Sequence, residues 1–153
     1  MKILMTGASG LVGTPLVKAL EAQGHEIARL VRRPADRRKM EIYWDPEKGS
    51  LDKEPLLDFA PEAVISLAGE NIGEGRWSQT KKDKIYNSRV KGSKILALTL
   101  AHLPKKPKVL ICSSAVGFYG SRGDQLLLEN SEPGEGFLSQ LCRDWEAATQ
   151  PAA

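Results

Sequence analysis

The sequence predicts an α/β domain: a doubly wound parallel sheet with helices on its two faces, in three layers. Three observations lead there. Short strand-like runs alternate with helical runs along the chain. The strand-like runs are apolar throughout rather than at every second residue, as strands buried on two faces must be. The first of them runs straight into the glycine-rich stretch TGASGLVG, Thr6 to Gly13, which opens a helical pattern.

The elements follow in order. Lys2 to Thr6 is a short apolar run ending at glycine, and reads as a buried strand. From about Leu11 to Gln23, Leu11, Val12, Leu16, Val17, Ala19 and Leu20 recur at helical spacing, and Gly24 suits the helix end. Pro15 is tolerated because a missing N–H costs nothing in the unpaired first turn. Glu26 to Val31 is a second strand, and Ile42 to Trp44 a third that Asp45-Pro46 stops. Ala63 to Ala68 is a fourth strand, again ending in glycine. Ser78 to about Ala101 reads as a long helix, Lys108 to Ser113 as a fifth strand, and Phe137 to about Thr149 as a final helix. The Gly120 to Gly136 segment is a long polar connection, a length usually reserved for functional or mobile loops. At 153 residues the chain holds one domain, residues 1–153, with no internal repeat.

Composition narrows the function. The chain is 41% apolar and 27% charged, ordinary for a globular protein. A net charge of +3 is too mild to mark a nucleic-acid binder. One local excess stands out: Arg29, Arg32, Arg33, Arg37, Arg38 and Lys39 are opposed only by Asp36. His25, His102, Cys112 and Cys142 form no ligand cluster, so no metal is expected. The apolar start is too short for a signal peptide and no run reaches membrane-spanning length, which makes the cytoplasm the expected compartment and a membrane no partner.

A strand, then glycines, then a helix start is an arrangement that binds phosphate. The first N–H groups of a helix lack intrahelical partners, and the dipole puts partial positive charge there. Gly7, Gly10 and Gly13 give G-x-x-G-x-x-G, which differs from the common G-x-G-x-x-G dinucleotide spacing. No Gly-Lys-Ser/Thr follows, so this is not a P-loop. The plain alternative is a tight turn with close helix packing and no ligand. The end of the second strand, roughly 20 residues beyond the glycines, should meet the adenine ribose. An NAD site wants a carboxylate there, whereas this chain has Arg32 and Arg33. Guanidinium groups suit a 2′-phosphate, so NADP is expected over NAD. The competing use of the basic cluster is a solvated loop or a weak nucleic-acid patch.

TGASGLVG resembles the glycine motif of the extended short-chain dehydrogenase/reductases, a Rossmann-fold group. More specific are SLAGENIGEGRW (Ser66 to Trp77), SRVKGS (Ser88 to Ser93), SSAVGFYG (Ser113 to Gly120) and FLSQLCRDWEAA (Phe137 to Ala148). Together they are similar to an atypical subgroup known as epimerase family proteins, family 39U-like, within the NAD-dependent epimerase/dehydratase superfamily. The resemblance implies that Gly7, Ser9, Gly10, Leu11 and Val12 cradle a diphosphate and that Gly13 permits helix packing. It implies that Val31 and Arg32 meet the adenosine end, that Leu67, Ala68 and Gly69 lie along the cofactor, and that Arg89 reaches it from the long helix. Core packing for Leu67 and Ala68 and a surface charge for Arg89 are the plain alternatives. Glu70, Asn71, Arg76 and Trp77 would lie where open α/β sheets place ligands, with Trp77 equally suited to anchoring the long helix.

Most catalytic members of this superfamily use a tyrosine with a lysine one helical turn later, the ammonium lowering the phenol's pKa. The residues four positions beyond Tyr43, Tyr86 and Tyr119 are Glu47, Val90 and Gly123, none of them lysine. Aligning Trp145-Glu146 with the end of the active-site helix puts Leu138 at the tyrosine position and Cys142 at the lysine position. An ungapped count from Tyr119-Gly120 places Ala115, not Ser114, at the usual serine position. Ser114 and Tyr119 remain weak catalytic candidates, with Glu70 or Cys142 as proton acceptors. The family continues beyond Trp145 to a further strand and a substrate region, so an N-terminal portion is expected, with an apolar sheet edge that dimerisation would cover. Two functions stand: an NADP-binding oxidoreductase or epimerase-like protein acting on a small, sugar-like molecule, and a non-catalytic dinucleotide-binding or redox-sensing module.

Overall fold

The computed structural model describes residues 1–153. Its strands are β1 (Lys2–Thr6), β2 (Glu26–Val31), β3 (Glu41–Asp45), β4 (Ser50–Leu51), β5 (Ala63–Ser66) and β6 (Val109–Cys112). Its helices are α1 (Gly13–Ala22), α2 (Lys53–Phe59), α3 (Gln79–Ala101) and α4 (Phe137–Ala147). One sheet holds all six strands in the order β4-β3-β2-β1-β5-β6. Every pairing is parallel except β3 with β4. The order reverses between β1 and β5, so the carboxyl ends of these two strands flank the switch-point crevice, where ligands of such sheets bind.

The apolar runs are continuous because each strand feeds two cores. Ile3, Met5, Ile27, Ala63 and Ile65 point to one face and pack with Val17 of α1. Leu4, Ala28, Leu30, Ile42, Trp44 and Val64 point to the other, against Leu56 and Phe59 of α2 and Leu96 and Leu100 of α3. α4 lies against α3, with the Trp145 indole N–H donating to Ser93 Oγ at 2.9 Å and the Tyr86 hydroxyl to Asp144 at 2.9 Å.

The expected layers and five parallel strands are present, with four differences. α1 begins at Gly13 rather than Leu11, because residues 8–12 turn before the helix closes. The sheet is mixed: a turn in which Asp45 Oδ1 accepts from the Glu47 and Lys48 N–H groups folds the two-residue β4 back on β3. α2, one of the covering helices, lies where no element was expected. β5 and β6 stop at Ser66 and Cys112, which leaves Leu67, Ala68 and Ser113 outside the strands. β6 is also covered on one side only: Leu110 packs toward α3, while Val109 and Ile111 on the α1 side are 43% and 53% exposed. The apolar edge expected from the sequence is thus open. No helix is long and apolar enough to cross a membrane.

Candidate dinucleotide site at the switch point

The site begins with Thr6, the last residue of β1 and fully buried. Its hydroxyl oxygen accepts the N–H groups of Leu67 at 3.1 Å and Ala68 at 3.0 Å. The chain leaving β5 is thereby held beside the turn that leaves β1. Gly7 follows with φ +68°, and a Cβ there would stand 2.7 Å from the Leu67 carbonyl carbon. A Cβ on Gly13 would stand 2.1 Å from the Gly7 carbonyl oxygen, so α1 can start this close to the turn only without a side chain.

Between these glycines the backbone is open. The Gly10 N–H donates to Gly7 O at 3.0 Å, while those of Ala8, Ser9, Leu11 and Val12 have no acceptor in the protein. Leu11 is 94% exposed. Free N–H groups at the start of a helix form a surface suited to an anion. The β1–β2 register pairs Met5 with Arg29, so the parallel β2 ends, at Val31, on the same side of the sheet as the glycine turn.

Five of the six cations of the basic cluster have a carboxylate partner. Arg29 pairs with Glu21, Arg37 with Glu54, and Arg38 and Lys39 with Asp36. Arg33 is committed to Glu41 through two contacts of 2.6 and 2.7 Å. The two arginines expected to share a 2′-phosphate are therefore not equivalent. Arg32 alone has no carboxylate or hydrogen-bond partner, and its charge helps to keep the Glu70 carboxyl below the usual carboxylate range.

Arg89 also lacks a carboxylate partner. Its guanidinium lies against Gly69, donates to Glu70 O at 3.1 Å, and stacks over the Trp145 ring at 5.3 Å. Burial lowers its pKa. The Glu70 N–H donates to Ser88 Oγ at 2.9 Å, and Lys81 grips the Glu70 carboxylate at 2.7 Å. That ion pair, the main cause of the carboxyl's lowered pKa, makes Glu70 a poor proton acceptor near neutrality. Asn71 accepts the Gly73 N–H in a local turn, and Arg76 is exposed. Trp77 donates to Ile72 O and meets the Phe137 ring edge-on at 6.0 Å, tying the start of α3 to α4.

The residues beyond β6 do not converge on proton transfer. The Ser114 hydroxyl donates to Glu146 of α4. Tyr119 lies in the short 3-10 turn Val116–Tyr119, its ring edge-on to Phe118. Leu138 packs on Gly117, and the Cys142 thiol is buried against Ala115 O, its pKa raised by that burial. Thr6, Lys81 and Ser88 are the site residues that sequence reasoning missed. Only Thr6 carried a signal, as the polar end of an apolar strand.

The NAD dependent epimerase/dehydratase family model matches residues 3–139. An epimerase family protein of Mycobacterium leprae is 40% identical over 151 residues, which cover 98% of this chain and 47% of that protein. The fold is similar to a nucleoside-diphosphate sugar epimerase from Corynebacterium glutamicum (TM-score 0.80, 38% identity, 99% of this chain and 31% of that one). It is equally similar to human epimerase family protein SDR39U1 solved with NADPH (TM-score 0.81, 30% identity, 97% of this chain and 48% of that one). The chain spans about half the length of the curated relatives it matches. With the family's glycine turn, sheet order and sequence blocks all present, the chain belongs to the NAD dependent epimerase/dehydratase family.

Proposed function

We propose that the chain binds NADPH at the crevice between β1 and β5 and serves an oxidoreductase or epimerase-like protein acting on a small, sugar-like substrate. One observation carries this reading: the N–H groups of Ala8, Ser9, Leu11 and Val12 have no acceptor in the protein, and Arg32 after β2 and Arg89 against Gly69 have no carboxylate partner. A dinucleotide phosphate ester offers anions at matching places, with the diphosphate on the turn and the 2′-phosphate at Arg32. The NADPH solved with the human relative supports the same choice. When bound, the nicotinamide ring would supply hydride transfer. Leu67, Ala68 and Gly69 would line its path, while Arg89 would set positive charge beside it.

A second reading, a dinucleotide-binding module without chemistry of its own, is favoured by Leu138 and Cys142. The first has no proton to give, and the second is a buried neutral thiol where an ammonium would be expected. Titration of the chain with NADPH and NADH tests the binding, and a turnover screen with nucleotide sugars separates the two readings. Arg32→Asp should weaken NADPH at least tenfold more than NADH, since it turns a charge-assisted contact into a repulsion. Equal effects on the two coenzymes would count against the 2′-phosphate assignment, and no binding of either would end the reading.

A further inference from the structure

If Arg32 meets the 2′-phosphate, as proposed above, something must hold it there, because residues 32–40 form an irregular connection between β2 and β3. The structure contains such a device. Glu41, first residue of β3, is only 5% exposed, a rare place for a carboxylate unless it is paired. Its Oε1 accepts Arg33 Nη2 at 2.6 Å. Its Oε2 accepts Arg33 Nη1 at 2.7 Å and the Asp36 N–H at 3.0 Å. The Glu41 N–H in turn donates to Asp36 O at 3.3 Å, and Arg33 Nη1 reaches Pro34 O at 3.2 Å. One carboxylate thus fastens Arg33 and Asp36 to the first residue of a sheet strand. Asp36, so held, accepts the Arg38 N–H at 3.1 Å and closes the turn Arg37–Lys39.

This geometry does two things at once. It commits both terminal nitrogens of Arg33 to Glu41 and Pro34 O, which sets Arg33 against Glu41 rather than against an anion. It also fixes the backbone on the C-terminal side of Arg32, whose N-terminal side is already fixed by β2. We infer that the Arg33–Glu41 pair is a positioning clamp for coenzyme choice: it presents Arg32, and Arg32 alone, to the ribose phosphate of NADPH. Neither residue of the clamp touches the coenzyme. Two-point guanidinium–carboxylate pairing suits the task because it fixes orientation as well as distance.

The test compares NADPH and NADH affinities of the 153-residue chain by fluorescence titration for wild type, Glu41→Gln, Arg33→Met and the double variant. The clamp predicts that each single change lowers the NADPH-to-NADH affinity ratio about three- to tenfold, leaves NADH binding within about twofold, and that the double variant loses no more than either single one. General damage to the fold would instead weaken both coenzymes together. If Arg33 contacts the phosphate itself, Glu41→Gln would free it and raise the ratio; that result, or an unchanged ratio, overturns the clamp. Should Glu41→Gln fail to fold, Arg33→Lys decides, since it keeps a charge for phosphate but loses the two-point pairing. A lowered ratio there supports the clamp, and one within about twofold of wild type overturns it. A wild type without NADPH preference overturns the NADPH reading and the clamp together, whereas an intact preference untouched by the variants overturns the clamp alone.

Discussion

Arg32 and Arg33 are neighbours of the same type with opposite fates, and the difference lies in a third residue. Glu41 is held down to about pKa 2, first by its hydrogen bonds from Arg33 and then by the Asp36 N–H, against an ordinary value of 4.5. Because the folded value lies below the ordinary one, the stabilisation is fully present above about pH 4.5 and is lost as the pH falls through 2. The pair is therefore constant through the neutral range and cannot act as a physiological pH switch. Glu41→Gln should show a shallower acid limb than wild type between about pH 4.5 and 2, measured as the pH dependence of the urea midpoint. Parallel acid limbs in the two proteins would show that Glu41 gains nothing on folding.

At the scale of the element, the crevice depends on the last residue of β1 as well as on the glycines that follow it. Thr6 holds the end of β5 through one hydroxyl oxygen, and the Leu67 N–H has a second acceptor in Thr6 O at 3.3 Å. The Ala68 N–H has only the hydroxyl. Thr6→Val keeps the shape and removes that acceptor, so it should cost about 1–3 kcal/mol in urea unfolding and weaken the two coenzymes alike by loosening Leu67 and Ala68. Unchanged stability would mean that the Ala68 N–H finds water. The elements legible in the sequence were those whose residues feed a core. The runs at β1, β2 and β5 are apolar because both faces are largely buried, that at β6 is apolar although one face is open, and α3 announces itself by length and by Ser78, whose hydroxyl accepts the Lys81 N–H. β4 and α2 were not legible. Two residues carry no periodicity, and the seven residues of α2 include Pro55 and bury only Leu56 and Phe59. The glycine turn was readable as a local pattern, but the fate of Arg33 was not. Its partner stands eight residues away, and nothing local says that Glu41 will be buried at the start of a strand.

For the molecule as a whole, the sheet is asymmetric. β3 is closed off by the short antiparallel β4, whereas β6 has neither a strand beyond it nor cover over Val109 and Ile111. Ile65 and Ile111 sit side by side in register on that face, one 9% and the other 53% exposed. Identical side chains one strand apart should therefore respond differently to truncation. Ile65→Ala should cost about 2–4 kcal/mol through lost transfer energy and a cavity, while Ile111→Ala in dilute protein should cost less than about 1 kcal/mol. An unpaired edge beside exposed branched residues is a template for a further strand, and in this chain a second copy is the partner always at hand. Self-association that grows with concentration is thus expected in sedimentation, and Ile111→Lys should suppress it without lowering the urea midpoint. A wild type that stays monomeric at high concentration would show that the twist of β6 or the chain around Pro107 and Pro151 already guards the edge. If Ile111→Ala costs as much as Ile65→Ala even in dilute solution, the face is covered at every concentration tested, and the partner is bound tightly rather than met by chance.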